Sequence, residues 1–151
     1  MTAGEMCRAA TDTAELALQA QGEVLTMVLL HVIGRGVIGL PYKDGSAPVG
    51  VQQQVIISVI KEYRKLGAFD GLVLMSEAWM VPQKSEVIAQ VLRPAQDPDR
   101  KEVFVANAYG ADGSKCMVTA DIVREGDKVR LGPVEVVKHK VESWLDDAFM
   151  D

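Results

Sequence analysis

Histidine and cysteine are the scarcest reactive residues in this chain of 151, with two of each, and aromatic residues make up only 5%. With His31 and His139 alone, a histidine-rich metal site is excluded, and a two-histidine site would need distant segments to converge. Cys7 and Cys116 make neither a CxxC pair nor a disulfide framework, and each reads as a small buried thiol. The sequence also lacks GxGxxG, GxxxxGK[ST], HExxH, GxSxG and an EF-hand loop. Its glycine-containing stretches GRGVIG and YGADGS open onto no helix N-terminus, so they are turns and not phosphate cradles. No cofactor and no metal is therefore expected. There is no basic excess either: 16 Lys and Arg stand against 21 Asp and Glu, a net charge of −5. Nucleic-acid binders carry a basic stripe, and none is present. The longest apolar run, Val24 to Ile33, is broken by Thr26 and His31 and is too short to span a bilayer. The start, MTAGEMCRAA, has no basic segment leading into an apolar one, so no secretory signal is read. The expectation is a cytoplasmic protein with no membrane partner.

What is present suits one folded domain. Hydrophobic residues make up 48% and charged residues 25%, enough apolar mass for a substantial core and too much for disorder. The chain is organised around Ala68 to Met80, AFDGLVLMSEAWM. At strand period, Leu72, Leu74, Ser76, Ala78 and Met80 point one way, and Val73, Met75, Glu77 and Trp79 the other. Both sets are largely apolar, which predicts a central strand covered on both faces.

Around it, Ala3 to Gln21 reads as a helix with an apolar stripe at Met6, Ala9, Ala10, Thr13, Leu16, Ala17 and Ala20, stopped by Gly22. Glu23 to Ile33 is a strand, Gly34-Arg35-Gly36 a hairpin turn, and Val37 to Tyr42 the return. After the turn-rich PYKDGSAP, Pro48 opens a helix to Leu66 with a stripe at Val51, Val55, Ile56, Val59, Ile60, Tyr63 and Leu66. Val81 to Arg100 reads as a crossover or lid, with a short helix at SEVIAQVL before two prolines break regular structure. A meander follows: Lys101 to Tyr109, a turn at Gly110 to Gly113, Ser114 to Arg124, Val129 to Leu131 and a further strand at Val134 to Val137. The fold expected is a single α+β domain over residues 1–140, a largely antiparallel sheet of about five strands with both long helices packed on one face. Residues 37–42 and 68–80 are placed parallel by the crossover between them. Residues 141–151, VESWLDDAFMD, form a separate acidic and hydrophobic segment.

Polar residues in strand positions are the candidates for a site: His31, Glu77, Trp79, Arg100, Glu102 and Arg124. Glu77 stands between the apolar Met75 and Trp79, where a carboxylate must be paired, protonated or at the wet end of its strand. A structural pair with Arg124 or Arg100 is set against a role as catalytic acid. Glu102 is expected opposite Asp121 across the hairpin, two carboxylates that raise each other's pKa if enclosed. His31, at a strand end among apolar neighbours, reads as a hydrogen-bonded structural residue against a ligand or base. The basic clusters Lys61, Arg64, Lys65 and Lys138, His139, Lys140 read as solvated. In the C-terminal segment Trp144, Leu145 and Phe149 are too apolar to rest in water, so this segment docks on its own domain or on another chain. Its acids bias it toward a basic groove, for which Lys61, Arg64 and Lys65 are an intramolecular candidate.

The SEAWM segment followed by a loop rich in proline, aspartate and arginine is similar to segments of small bacterial or phage proteins, a likeness that implies no activity. Two functions fit these residues. One is a binding protein without catalysis, a homodimer or working through a protein partner. The alternative is a hydrolase or lyase with Glu77 as acid or base, an arginine anion clamp and residues 81–100 as lid.

Overall fold

Thr2 begins the first helix, α1 (Ala3–Gln21), with a capping box: its hydroxyl accepts from the Glu5 amide, and the Glu5 carboxylate accepts from the Thr2 amide. Gly22, at φ 76°, ends it, its N–H donating to the Leu18 carbonyl. The computed structural model describes residues 1–42, 48–80, 101–137 and 142–150, with the backbone alone at 41, 49, 79 and 80. The central part of PYKDGSAP, the whole segment Val81 to Arg100 with its SEVIAQVL helix, and the cluster Lys138, His139, Lys140 lie outside the described residues.

After α1 come β1 (Met27–Val32), β2 (Gly36–Pro41), α2 (Val49–Lys65), β3 (Phe69–Met80), β4 (Lys101–Gly110), β5 (Lys115–Glu125), β6 (Lys128–Leu131), β7 (Glu135–Val136) and a 3₁₀ helix (Trp144–Phe149). The strands form one sheet in the order β2-β1-β3-β4-β5-β6, with β7 also on β5, and all these pairings are antiparallel. The class is α+β. Seven strands replace the expected five or so, because β6 and β7 line successive stretches of the same edge of β5. β2 and β3 do run the same way, but β1 lies between them, so no parallel ladder forms.

The helices do not share a face. α1 packs on Val73, Met75, Phe104, Ala106, Val118 and Ala120, whereas Ile56, Ile57 and Ile60 of α2 join Val28, Leu30, Leu72 and Tyr109 on the other side. The cause is β3 itself: it is apolar on both faces, so each face needs its own cover. Both helical stripes are also rotated from their expected phase. In α1 the buried line is Met6, Cys7, Ala10, Ala14 and Leu18, leaving Leu16 67% exposed. In α2 it runs through Ile56, Ile57 and Ile60, leaving Val51, Val55 and Leu66 outside.

The β4–β5 register differs from expectation by one residue. Tyr109 faces Lys115, and Val103 faces Asp121. Gly110 is the last residue of β4, packed so closely that a Cβ would lie 2.7 Å from the Ala3 nitrogen. The turn glycine is Gly113, at φ 85°.

Candidate interaction surface

The polar residues singled out in the sequence fall into separate places. Glu77 sits on the α1 side of β3, half-buried, and its Oε1 accepts a hydrogen bond from the buried Val24 amide at 2.5 Å. Nearby, Arg124 grips Glu102 through Nε and Nη2, the latter at 2.8 Å from Oε2, and donates from Nη1 to the Gly22 carbonyl at 3.0 Å. The Glu102 hydrogen bond pushes the Arg124 pKa up against the cost of burial, and the charges of Glu77 and Glu23 add to it. A cation at the C-terminal end of α1 also meets the negative end of the helix dipole. Glu77 and Arg124 together pin residues 22–24, the link from α1 to β1. Trp79 faces Glu102 across β3 and β4 by its backbone, and Arg100 lies outside the described residues.

The expected facing carboxylates Glu102 and Asp121 are on opposite faces, because the register shift moves Asp121 against Val103. Asp121 instead pairs with Lys101 at 3.2 Å. His31 stands apart from Glu77: it faces Gly71, six residues back along β3, about 20 Å at strand rise. Its buried Nδ1 makes no well-directed hydrogen bond but lies 2.8 Å from Asp70 Oδ2. Asp70 also accepts from the Met1 ammonium at 2.7 Å, the main reason its pKa is lowered, with His31 contributing less. Among the described residues no group of three His, Cys, Asp or Glu could hold a metal ion, and no helix is long and apolar enough to cross a membrane.

The C-terminal residues converge on α2. Leu145 and Ala148 are fully buried, Trp144 stacks on Tyr42, and Phe149 stacks on Tyr109 and meets Phe69 edge-on. Arg64 lies over the Phe149 ring at 5.0 Å and donates to the Ala148 carbonyl at 2.8 Å, so one residue of the basic cluster holds the segment. A cleft of about 380 Å³ borders this seam, lined by Arg64, Tyr109, Lys115, Asp146, Phe149 and Met150. Its polar groups already bind each other: Asp146 accepts from Tyr109 at 2.6 Å and from Lys115 at 2.8 Å. Burial pushes Asp146 up, but hydrogen bonds from Lys115, Tyr109 and the Ser143 amide outweigh it, and the net pKa is lowered. Tyr109 is pushed far above the ordinary phenol value, first by burial and then by Asp146.

Three residues expected in the buried stripe of the second helix, Val51, Val55 and Leu66, stand bare. Val51 is 53% exposed, Val55 57%, Leu66 68% and, on β2, Val37 59%. A shallow apolar depression runs along α2 over Gly50, Val51, Gln54, Val55, Ser58 and Val59. From Val49 to Ile60 the helix has no charged residue, and neither has β2, GVIGLP. Among the described residues nothing pairs with the outer side of β2, which ends the sheet. The opposite edge is guarded more heavily: β6 carries Lys128 and Arg130, and Pro133 separates it from β7, whereas β2 has Pro41 alone, as its last residue. Natural sheets blunt exposed edges with such charges and prolines. The stripe's apolar character was legible in the sequence, but which phase of α2 would be buried was not.

A family model described as bacteriophage lambda protein ea47 matches residues 53–145. No curated protein and no solved structure matches the chain.

Proposed function

The chain belongs to the bacteriophage lambda protein ea47 family, and from that premise we propose that it acts by binding a protein chain, without catalysis, through β2 and the outer flank of α2. The observation that carries this reading is the uncharged, exposed flank of Val51 and Val55 on α2, set close to an edge strand with open backbone groups. Scattered apolar side chains need no explanation, but an uncharged apolar flank close to an unpaired edge strand is the usual mark of a protein contact. The polar clusters support the same reading, since Glu77 and Arg124 hold the α1–β1 link and Asp146 holds the C-terminal 3₁₀ helix. Site-specific photo-crosslinking in the expressing cell tests it. A photoreactive side chain at position 37 or 55 should give discrete protein adducts, and one at the equally exposed Leu16 should not. Equal adducts from all three positions, or none from any, would overturn the reading.

A further inference from the structure

We propose that the partner on this surface is a second copy of the chain, joined antiparallel along β2 about a two-fold axis at Gly39. The inference rests on the interaction reading above and names its partner. It starts from Pro41, which faces Met27 across the β1–β2 ladder. Proline has no N–H, so this pair cannot exchange two hydrogen bonds and must be of the open type. By alternation, Gly36, Ile38 and Leu40 turn their backbone groups to β1, while Val37 and Gly39 turn theirs to the outside. Centred on Gly39, a second β2 exchanges two bonds between the glycines and accepts one from each Val37 amide at the opposite Pro41 carbonyl. A two-fold contact requires a patch that complements itself. β2 meets that requirement because it has no charge to repel its own copy and no side chain at its centre.

The helix gives an independent reason for the same axis. α2 is anchored over β2 at both ends: Gln53 donates to Tyr42 Oη at 2.7 Å, and Arg35 reaches Tyr63 Oη at 3.5 Å. Gly39 therefore lies beneath the middle of the helix. Arg64 faces the C-terminal 3₁₀ helix, and Val55, nine residues earlier, is about two and a half turns away, on the opposite flank. The axis that joins Gly39 to its copy thus sets the uncharged flank with Val55 and Val59 against the same flank of the other α2. Two joined sheets would take the Val37 backbone into the seam, and the two facing helices would cover Val55.

Light scattering and sedimentation of the full chain test this. The wild type should be a dimer. Val55→Lys and Val55→Glu, each at an exposed position, should keep the circular dichroism spectrum and weaken the dimer on the order of 100-fold through like-charge contact. Mixing the two variants should restore it as a heterodimer. Amide exchange at Val37 and Gly39 should slow as protein concentration rises. A wild type that is monomeric at every soluble concentration, or variants that dimerise as tightly as wild type, would overturn the inference. If such a monomer still crosslinks from position 55 to a chain of different mass, the second copy is wrong and the interaction reading stands. No crosslink from 37 or 55 removes both.

Discussion

Leu145→Ala measures how firmly the C-terminal segment belongs to the domain. Leu145 is 0% exposed and sits in one cluster with Val28, Leu30, Ile60, Leu72 and Tyr109. Its helix is short, but Ser143 and Asp146 form a reciprocal capping box, and Arg64 ties down its last turn. Truncating a buried leucine costs about 2–5 kcal/mol, the spread reflecting how far the surroundings close over the gap. A short 3₁₀ helix that buries only Leu145 and Ala148 can shift inward, which argues for the lower half, about 3 kcal/mol. For a chain of this size each kcal/mol lowers the melting temperature by roughly 2–4 °C, so the drop should be on the order of 10 °C. Urea titration is the better assay, because an unchanged slope shows that the same surface unfolds and only its midpoint has moved. Leu16→Ala, on the exposed face of α1, is the control and should stay within about 0.5 kcal/mol. A loss below about 1 kcal/mol in Leu145→Ala would refute the reasoning, since it means that the 3₁₀ helix is not part of the cooperative core.

Two further outcomes follow from the polar contacts. Glu77→Ala leaves the buried Val24 amide without its acceptor and should cost about 1–2 kcal/mol, whereas Glu77→Gln keeps an acceptor and should cost clearly less; equal losses in denaturant titration would mean that the charge near Arg124, and not the hydrogen bond, is what matters. Tyr109 should resist alkaline titration by phenolate absorbance. Tyr109 has a folded pKa above its unfolded value near 10, so its contribution to stability is full below about pH 10 and is lost as pH rises further; an absorbance rise that Tyr109→Phe lowers at about pH 10 but leaves unchanged above it contradicts this.

The sequence made the elements legible and the faces harder to read. Capping and glycine signals are local, and α1 runs over the residues that its composition predicts, Ala3–Gln21. The phase of each helix is not local. α1 is so rich in alanine that two stripes fit it, and the choice fell to Ala10 and Ala14, which let Met6 and Leu18 reach the sheet. Gly110 reads as a turn residue in a string but serves for close approach to Ala3, and that one-residue difference separates Glu102 from Asp121. The polar contact between Glu77 and residue 24 joins parts of the chain 53 residues apart, and no spacing rule connects them.

The same strand explains both the fold and its bare flank. An apolar β3 covered on both sides commits α1 to one face and α2 to the other, and α2 must return from β2 across β1 to reach it. That path sets the helix over the first strands of the sheet, close to its open edge. Ile56, Ile57 and Ile60 lie over Leu30 and Leu72, with Val59 and Tyr63 packed partly buried beside them. Yet α2 carries two more, at Val51 and Val55, whose β-branched side chains lower its helix propensity while they stand more than half exposed. Polar residues at those positions would make a more soluble and more stable lone helix. Their presence over an uncharged strand is accounted for when the flank is itself buried, which is the contact that the Val55→Lys and Val55→Glu variants are built to break.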